Sequence, residues 1–269
     1  MSIFERLVEL EKKGEVAALA TIIQTQGSVP RHSGSRMLIF PDGSIEGTIG
    51  GGEMEGHVVE EGLAALRDGK SRVRTYAFNG PGEGSVGVCG GEIEVFVEPI
   101  RTNPTLVVIG GGHVGVAVAH LADWLGFRIV VSDDRPEFAS SDAVPEADEI
   151  HSGPMADLPS QLDINENTYL VLTTRGVDVD VPGLPALLET PAAYIGVIGS
   201  RRRWETTSKA LLDHGVSKEA LARVRSPIGL ELNAETPEEI AVSILSEIIM
   251  LRQGGTGDSM AHRSARLED

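Results

Sequence analysis

The chain is short of cysteine, aromatic residues and positive charge, and each shortage removes a class of function. Cys89 is the single cysteine in 269 residues, so there is no internal disulfide and no multi-cysteine zinc site. The seven histidines show no H-x-x-x-H or comparable metal spacing. Lys and Arg number 23 against 40 Asp and Glu, a net charge of −17. A nucleic-acid surface or a patch for anionic lipid needs a basic stripe that this balance does not supply. No apolar run approaches the roughly 20 residues of a membrane span. Met1-Ser2-Ile3-Phe4-Glu5-Arg6 lacks the basic and apolar regions of a signal peptide. The expectation is a cytoplasmic protein with neither nucleic acid nor membrane as partner. Tyrosine is scarce too: of Tyr76, Tyr169 and Tyr194, the last two fall in strand-like runs, and no Tyr–Lys proton-donor couple is legible.

What is present is glycine, hydrophobic periodicity and a change of pattern near residue 100. Hydrophobic residues make up 41% of the chain, ordinary for a globular protein. Residues 1–100 read as an α/β domain. Ser2 caps a first helix with Phe4, Leu7, Val8 and Leu10 at helical spacing, and strands are predicted at 16–23, 36–40, 44–49, 73–78 and 93–97. A helix is predicted over 53–67. The link Pro99 to Pro104 is the boundary.

Residues 104–253 alternate strand (105–109, 128–132, near 149–151, 168–173, 194–198) with helix (113–125, 183–189, 201–214). That alternation means a Rossmann-like, doubly wound parallel sheet. Thr236, Pro237 and Glu239 mark the start of a last helix whose apolar face is Ile240, Ile244, Leu245, Ile248 and Ile249. Residues 254–269 read as a disordered tail.

Four glycine-rich loops stand out. Gly110, Gly112 and Gly115 fit G-x-G-x-x-G, with strand Leu106 to Ile109 before them, a helix after them, and Asp133-Asp134 about 20 residues on. That pattern sets a phosphate-bearing ligand on a helix N-terminus. The other loops are Gln26-Gly27-Ser28-Val29-Pro30-Arg31, Gly47-Thr48-Ile49-Gly50-Gly51-Gly52-Glu53, and Gly80 to Gly91, which contains Cys89 and Gly90. Each is either a tight turn or an anion cradle, with Arg31 and Arg36 as bidentate donors. Cys89 is either a small buried hydrophobe or an exposed thiolate acting as a soft-metal ligand or persulfide carrier. Ser200-Arg201-Arg202-Arg203 begins a helix at the carboxyl end of a predicted strand. Three arginines in a first turn oppose the helix dipole, which favours a role in anion binding. His113 faces the same crevice. Asp178 and Asp180 are either ligands for a ribose or metal, or solvated loop acids.

Taken together, Gly27-Ser28-Val29-Pro30-Arg31, Gly47-Thr48-Ile49-Gly50-Gly51-Gly52, Val88-Cys89-Gly90-Gly91-Glu92, Val108 to Gly115, Asp133-Asp134-Arg135-Pro136-Glu137-Phe138, Tyr194 to Arg202 and Ser226-Pro227-Ile228-Gly229-Leu230 resemble the XdhC/CoxI family, accessory factors of xanthine dehydrogenase and related molybdenum hydroxylases. The resemblance covers most of residues 1–250. It implies a maturation factor that binds molybdenum cofactor, as molybdopterin or its dinucleotide, assists its sulfuration and delivers it to the apo-hydroxylase, with a cysteine desulfurase as sulfur donor. Such hand-over proteins often work as homodimers.

The implied binding residues are Ser28, Arg31, Gly50, Gly51, Gly52, Glu53, Gly90, Gly110, Gly112, His113, Gly115, Asp133, Arg135, Ser200, Arg201 and Arg202. Cys89 is the implied molybdenum ligand or sulfur relay. The chain departs from the family at Glu53, where many relatives carry cysteine, and at Thr174-Arg175-Gly176, where many carry histidine. The alternative is an NAD(H)-dependent oxidoreductase or nucleotide-binding regulator, with Asp133 on the ribose.

Overall fold

The structure, a computed structural model, describes residues 2–78 and 90–261. Two compact units share the chain, Met1–Asn103 and Pro104–Asp269.

In the first unit α1 (Ile3–Lys13) precedes β1 (Ala17–Gln26), β2 (Arg36–Ile39) and β3 (Ile45–Gly47), and α2 (Gly52–Asp68) leads to β4 (Arg72–Ala77) and β5 (Glu92–Ile100). The strands form one antiparallel sheet in the order β3-β2-β1-β5-β4. Alternation along β1 divides its side chains between two faces. Ala18, Ala20 and Ile22 join Met54, Val58 and Ala65 of α2. Ala17 and Leu19 join Leu10 and Leu7 of α1. Ser2 and Glu5 form a capping box on α1. Its buried stripe differs from the predicted one, because Phe4 and Val8 are exposed, and the Arg36 guanidinium lies 5.0 Å from the Phe4 ring.

The second unit runs β6 (Thr105–Ile109), α3 (His113–Trp124), β7 (Arg128–Asp133), β8 (Glu149–Ser152), a 3-10 turn (Met155–Asp157), α4 (Leu158–Gln161), β9 (Thr168–Leu172), α5 (Val177–Leu188), β10 (Tyr194–Val197), α6 (Arg201–Asp213), α7 (Lys218–Leu221), β11 (Val224–Arg225) and α8 (Pro237–Gln253). The sheet is parallel, ordered β11-β10-β9-β6-β7-β8. That is the order of a doubly wound dinucleotide-binding sheet, and the order reverses between β6 and β9. Both faces are covered, so β6 and β9 are buried throughout. α3 and α8 cover Leu106, Val108, Ile129 and Val131. α5, α6 and the turn at Met155 cover Val107, Ile109, Val130 and Leu170. Each fully buried aliphatic side chain contributes roughly 1.5–3 kcal/mol.

Two sequence expectations change. α5 begins at Val177 rather than after Pro182, and it contains both Pro182 and Pro185. Burial of Leu184 and Leu187, and the bond of Arg203 to Asp180, outweigh the helix-breaking tendency of proline. Ile249 of the predicted apolar face is exposed. Residues 254–261 are exposed and carry neither helix nor strand; residues 262–269 of the predicted tail lie outside the described residues.

Candidate functional site

In the first unit the structure brings three glycine loops together. A Cβ on Gly27 would lie 3.0 Å from the Gly90 carbonyl oxygen, and one on Gly91 would lie 2.2 Å from the Ser28 oxygen. A Cβ on Gly50 would lie 3.0 Å from Pro30 Cγ. Gly90 and Gly91 are tied back by reciprocal hydrogen bonds with the Phe78 backbone. Ser28, Arg31 and Glu53 are exposed around this cluster, and Arg31 makes no ion pair among the described residues. Cys89, and with it the expected sulfur chemistry, lies outside the described residues.

The loop Gly47 to Glu53, read as either a tight turn or an anion cradle, has its Ile49, Gly50 and Gly51 amides taken up within the chain. Glu55 turns its carboxylate into the loop: Oε2 accepts from Thr48 Oγ1 at 2.6 Å, Ile49 N at 3.2 Å and Gly51 N at 3.2 Å. Gly50 N donates to Thr48 Oγ1. This nest holds an anion, and that anion belongs to the chain. Its signal was available, since an acid in the first turn of a helix complements the turn's amides.

The loop from β6 to α3 is built differently. Gly110 has φ +112°, and a Cβ there would lie 2.7 Å from the Thr173 oxygen at the end of β9. A Cβ on Gly115 would lie 2.0 Å from the Gly110 oxygen, so only glycine lets α3 approach β6. At Gly112 a Cβ would meet nothing within 4 Å. The three positions thus divide into the turn, the opening toward ligand and the helix–strand contact of a dinucleotide loop. Gly112 is the N-cap of α3, with no capping side chain and no acid in the first turn. α1, α6 and α8 are capped by Ser2, Ser200 and Thr236, and α2 and α5 carry first-turn acids. The first amides of α3 are therefore left for an external acceptor. His113 is exposed beside them.

Asp133 is 4% exposed and does not serve as a free ribose acceptor. It accepts from Gly111 N at 2.9 Å and Arg135 N at 3.0 Å, and from Arg135 Nε and Nη2, both at 2.9 Å. Four donors fill the roughly four lone-pair sites of a carboxylate. Arg135 is held in turn, its guanidinium 3.8 Å from the centre of the Phe138 ring. Asp134 forms a bidentate pair with Arg175, at 2.6 and 2.7 Å. The Arg175 guanidinium holds the Asp134 carboxyl well below its ordinary range, at about 2.

The three arginines after β10 also divide. Arg203 donates to Thr174 O, Thr174 Oγ1 and the fully buried Asp180. It fastens α6 to α5 and to the loop after β9. Asp180 is thus neither a solvated acid nor a ligand, and Thr174 also donates to it. Arg201 and Arg202 are exposed and make no ion pairs among the described residues. Arg201 lines a cleft with Gly199 and the segment Pro227 to Ala234. No group of three or more His, Cys, Asp or Glu among the described residues is arranged to hold a metal ion. No helix of the described residues is long and apolar enough to cross a membrane.

Residues 106–248 match the XdhC Rossmann domain, and residues 10–77 match the XdhC and CoxI family. The chain belongs to the XdhC/CoxI family. It is 37% identical over 262 residues to the uncharacterized protein YqeB of Escherichia coli K12, covering 97% of this chain and 48% of that one. It is 33% identical over 159 residues to a probable xanthine dehydrogenase component of Bacillus subtilis 168, covering 59% and 46%. It is 25% identical over 281 aligned positions to the molybdenum cofactor insertion chaperone PaoD of Escherichia coli K12, covering 94% and 88%. The chain spans about half the length of the first two relatives. The XdhC Rossmann match contains Gly110 to Gly115, Asp133 to Arg135, Arg175 and Ser200 to Arg203. The XdhC/CoxI match contains the first two glycine loops and ends before Gly90.

Proposed function

We propose that this XdhC/CoxI protein is a maturation factor for a xanthine dehydrogenase-type molybdenum hydroxylase, an accessory protein that carries molybdenum cofactor as cargo to the apo-enzyme in the cytoplasm. The observation that carries the reading is the uncapped N-terminus of α3 behind Gly112. Amides there suit the phosphate that molybdopterin or its dinucleotide bears. Family membership, and relatives named for cofactor insertion and for xanthine dehydrogenase, support molybdenum cofactor as the cargo. In this reading Arg201 and Arg202, which make no ion pair among the described residues, add charge for the anionic cargo. In the same reading Ser28, Arg31 and Gly90, the last next to Cys89 in sequence, serve the sulfur end. Cys89 either ligates molybdenum or accepts the terminal sulfur of a cysteine desulfurase persulfide, with the donor's thiolate as leaving group.

The oxidoreductase alternative expects an acceptor for the nicotinamide dinucleotide's ribose. Asp133 has its lone pairs filled, which weighs against that alternative. The deciding experiment is anaerobic incubation of the chain with molybdenum cofactor, then molybdenum and pterin analysis after gel filtration. Stoichiometric retention by wild type, reduced in Gly112→Asp, is expected; Cys89→Ser should fold normally but activate less apo-hydroxylase. Absence of retained molybdenum together with saturable NAD(H) binding would overturn the proposal.

A further inference from the structure

One edge of the parallel sheet is β11, which pairs with β10 alone among the described residues. Beside it lies a groove of about 650 Å³, well inside the range for small-molecule sites. Its walls include Ala193 ahead of β10, Arg225 of β11, Pro227 after it, and Glu247 and Leu251 of α8. β11 stands three strands from β6, roughly 14 Å at ordinary strand spacing. The groove also reaches past the amino ends of β10 and β11, whereas the Gly110 loop lies at the carboxyl end of β6. It is therefore separate from the dinucleotide crevice.

Glu247 is 7% exposed, and its two oxygens are unequally used. Oε2 accepts from Tyr194 Oη at 2.5 Å and from Gly229 N at 3.0 Å. Burial, and after it the carboxylate, push the Tyr194 hydroxyl above its ordinary range, so it stays a donor. Oε1 has one contact among the described residues, Arg225 Nη1 at 3.5 Å, longer than a normal hydrogen bond. A carboxylate offers roughly four lone-pair sites, and a buried one is costly when its donors are missing. Arg225 is about half exposed, and that long contact is its one polar contact among the described residues. The groove thus sets an under-used acceptor beside an under-used donor, with Leu251 and Pro227 as apolar walls. A bare cation there meets Arg225 and a bare anion meets Glu247, so both are disfavoured. An N–H next to a carbonyl or carboxylate oxygen satisfies both groups at once.

We infer that the groove between β11 and α8 is a second small-molecule site, and that its ligand is a compact molecule of no net charge with an N–H donor beside an oxygen acceptor. The N–H donates to Glu247 Oε1, the oxygen accepts from the Arg225 guanidinium, and the apolar remainder lies against Leu251 and Pro227. Cyclic amides and zwitterionic amino acids both carry that chemistry. The inference does not rest on the cargo proposed above, which is held at the α3 amides.

Ligand-observed NMR and calorimetry on the full chain test it, with uracil and leucine as probes. Each is paired with a look-alike that lacks the N–H donor, 1,3-dimethyluracil and 4-methylpentanoate. Uracil or leucine should bind with a Kd below about 1 mM, and which one does so distinguishes the cyclic amide from the zwitterion. Its look-alike should bind at least about tenfold more weakly. Ala193→Trp, at an exposed position of the wall, should abolish binding, and Arg225→Ala should weaken it about fivefold, with melting temperatures near wild type in both. Gly112→Asp should leave it unchanged, so failure of this site and failure of the cargo reading are distinguishable. Neither probe binding below that level, a look-alike that binds as tightly, binding that survives Ala193→Trp or is unmoved by Arg225→Ala, or loss of binding in Gly112→Asp would each overturn the site.

Discussion

The loop entering α2 and the loop entering α3 look alike in sequence and carry opposite electrostatics. Both are runs of glycine that turn a chain end into a helix N-terminus. Before α2, the amides of Ile49 and Gly51 donate to Glu55. Before α3, no side chain caps the helix and no acid lies in its first turn. Glycine spacing therefore reports a backbone path, while one acidic residue in the helix's first turn decides whether that path has room for an outside anion.

The comparison is broken most severely at the third glycine of the α3 loop. Gly115→Ala puts a Cβ 2.0 Å from the Gly110 backbone oxygen. Neither backbone segment can give easily, so a loss of about 3 kcal/mol or more is expected in denaturant unfolding. Next is Glu55→Ala, which strands three donors of the α2 loop and should cost about 2 kcal/mol. If the α2 loop is a filled anion nest, sulfate should restore part of that stability to Glu55→Ala and none to wild type. In α2 the glycine at position 56 is exposed, and a Cβ there meets nothing within 4 Å. Gly56→Ala should therefore stabilise by about 0.5–1 kcal/mol, the reverse of Gly115→Ala.

Smaller in stability but sharper in meaning is Gly112→Asp. The residue has φ −74° and open space at Cβ, so the fold accepts aspartate. Its carboxylate caps α3 for a few tenths of a kcal/mol and takes the amides that a ligand phosphate would use. Thermal melting should hold or rise slightly while phosphate-bearing ligands lose roughly tenfold or more in affinity. Unchanged affinity would show that the α3 amides are not the binding group.

The smallest expected effect is a pH dependence. The folded carboxyl of Asp134 titrates at about 2, below its ordinary 3.8. A depressed acid stabilises the fold above its unfolded pKa, and that contribution fades as pH falls through the folded value. The melting difference between wild type and Asp134→Asn should persist at neutral pH and shrink between about pH 4 and 2. The pair is a third to a half exposed, so the difference is modest and falls with salt.

Much of the fold was legible because its signals are local. The apolar run Leu106 to Ile109 in β6, the Ser2 and Thr236 caps and the Gly110–Gly115 spacing depend on neighbours within a few residues. α5, read as 183–189, begins at Val177, because the buried Leu184 and Leu187 and the distant Arg203, bonded to Asp180, hold the longer helix. The candidate site was legible as a set of glycine loops, and less so in its charges. Asp133 was read as a ribose acid and is filled by Gly111 and Arg135. Arg201, Arg202 and Arg203 read as one cluster, and among the described residues only Arg203 is committed to a buried partner.

The sequence by itself determined the two α/β units, the parallel order of the second, and the glycine turn onto α3. These follow from hydrophobic period, capping chemistry and backbone sterics, which act over one turn or one strand. Only the tertiary structure decided which anion each loop holds. Arg175 meets Asp134 across 41 residues and Arg203 meets Asp180 across 23. Those meetings exist because the sheet places β7 and β9 on either side of β6, and folds α5 against α6, so that charges distant in the chain share one crevice.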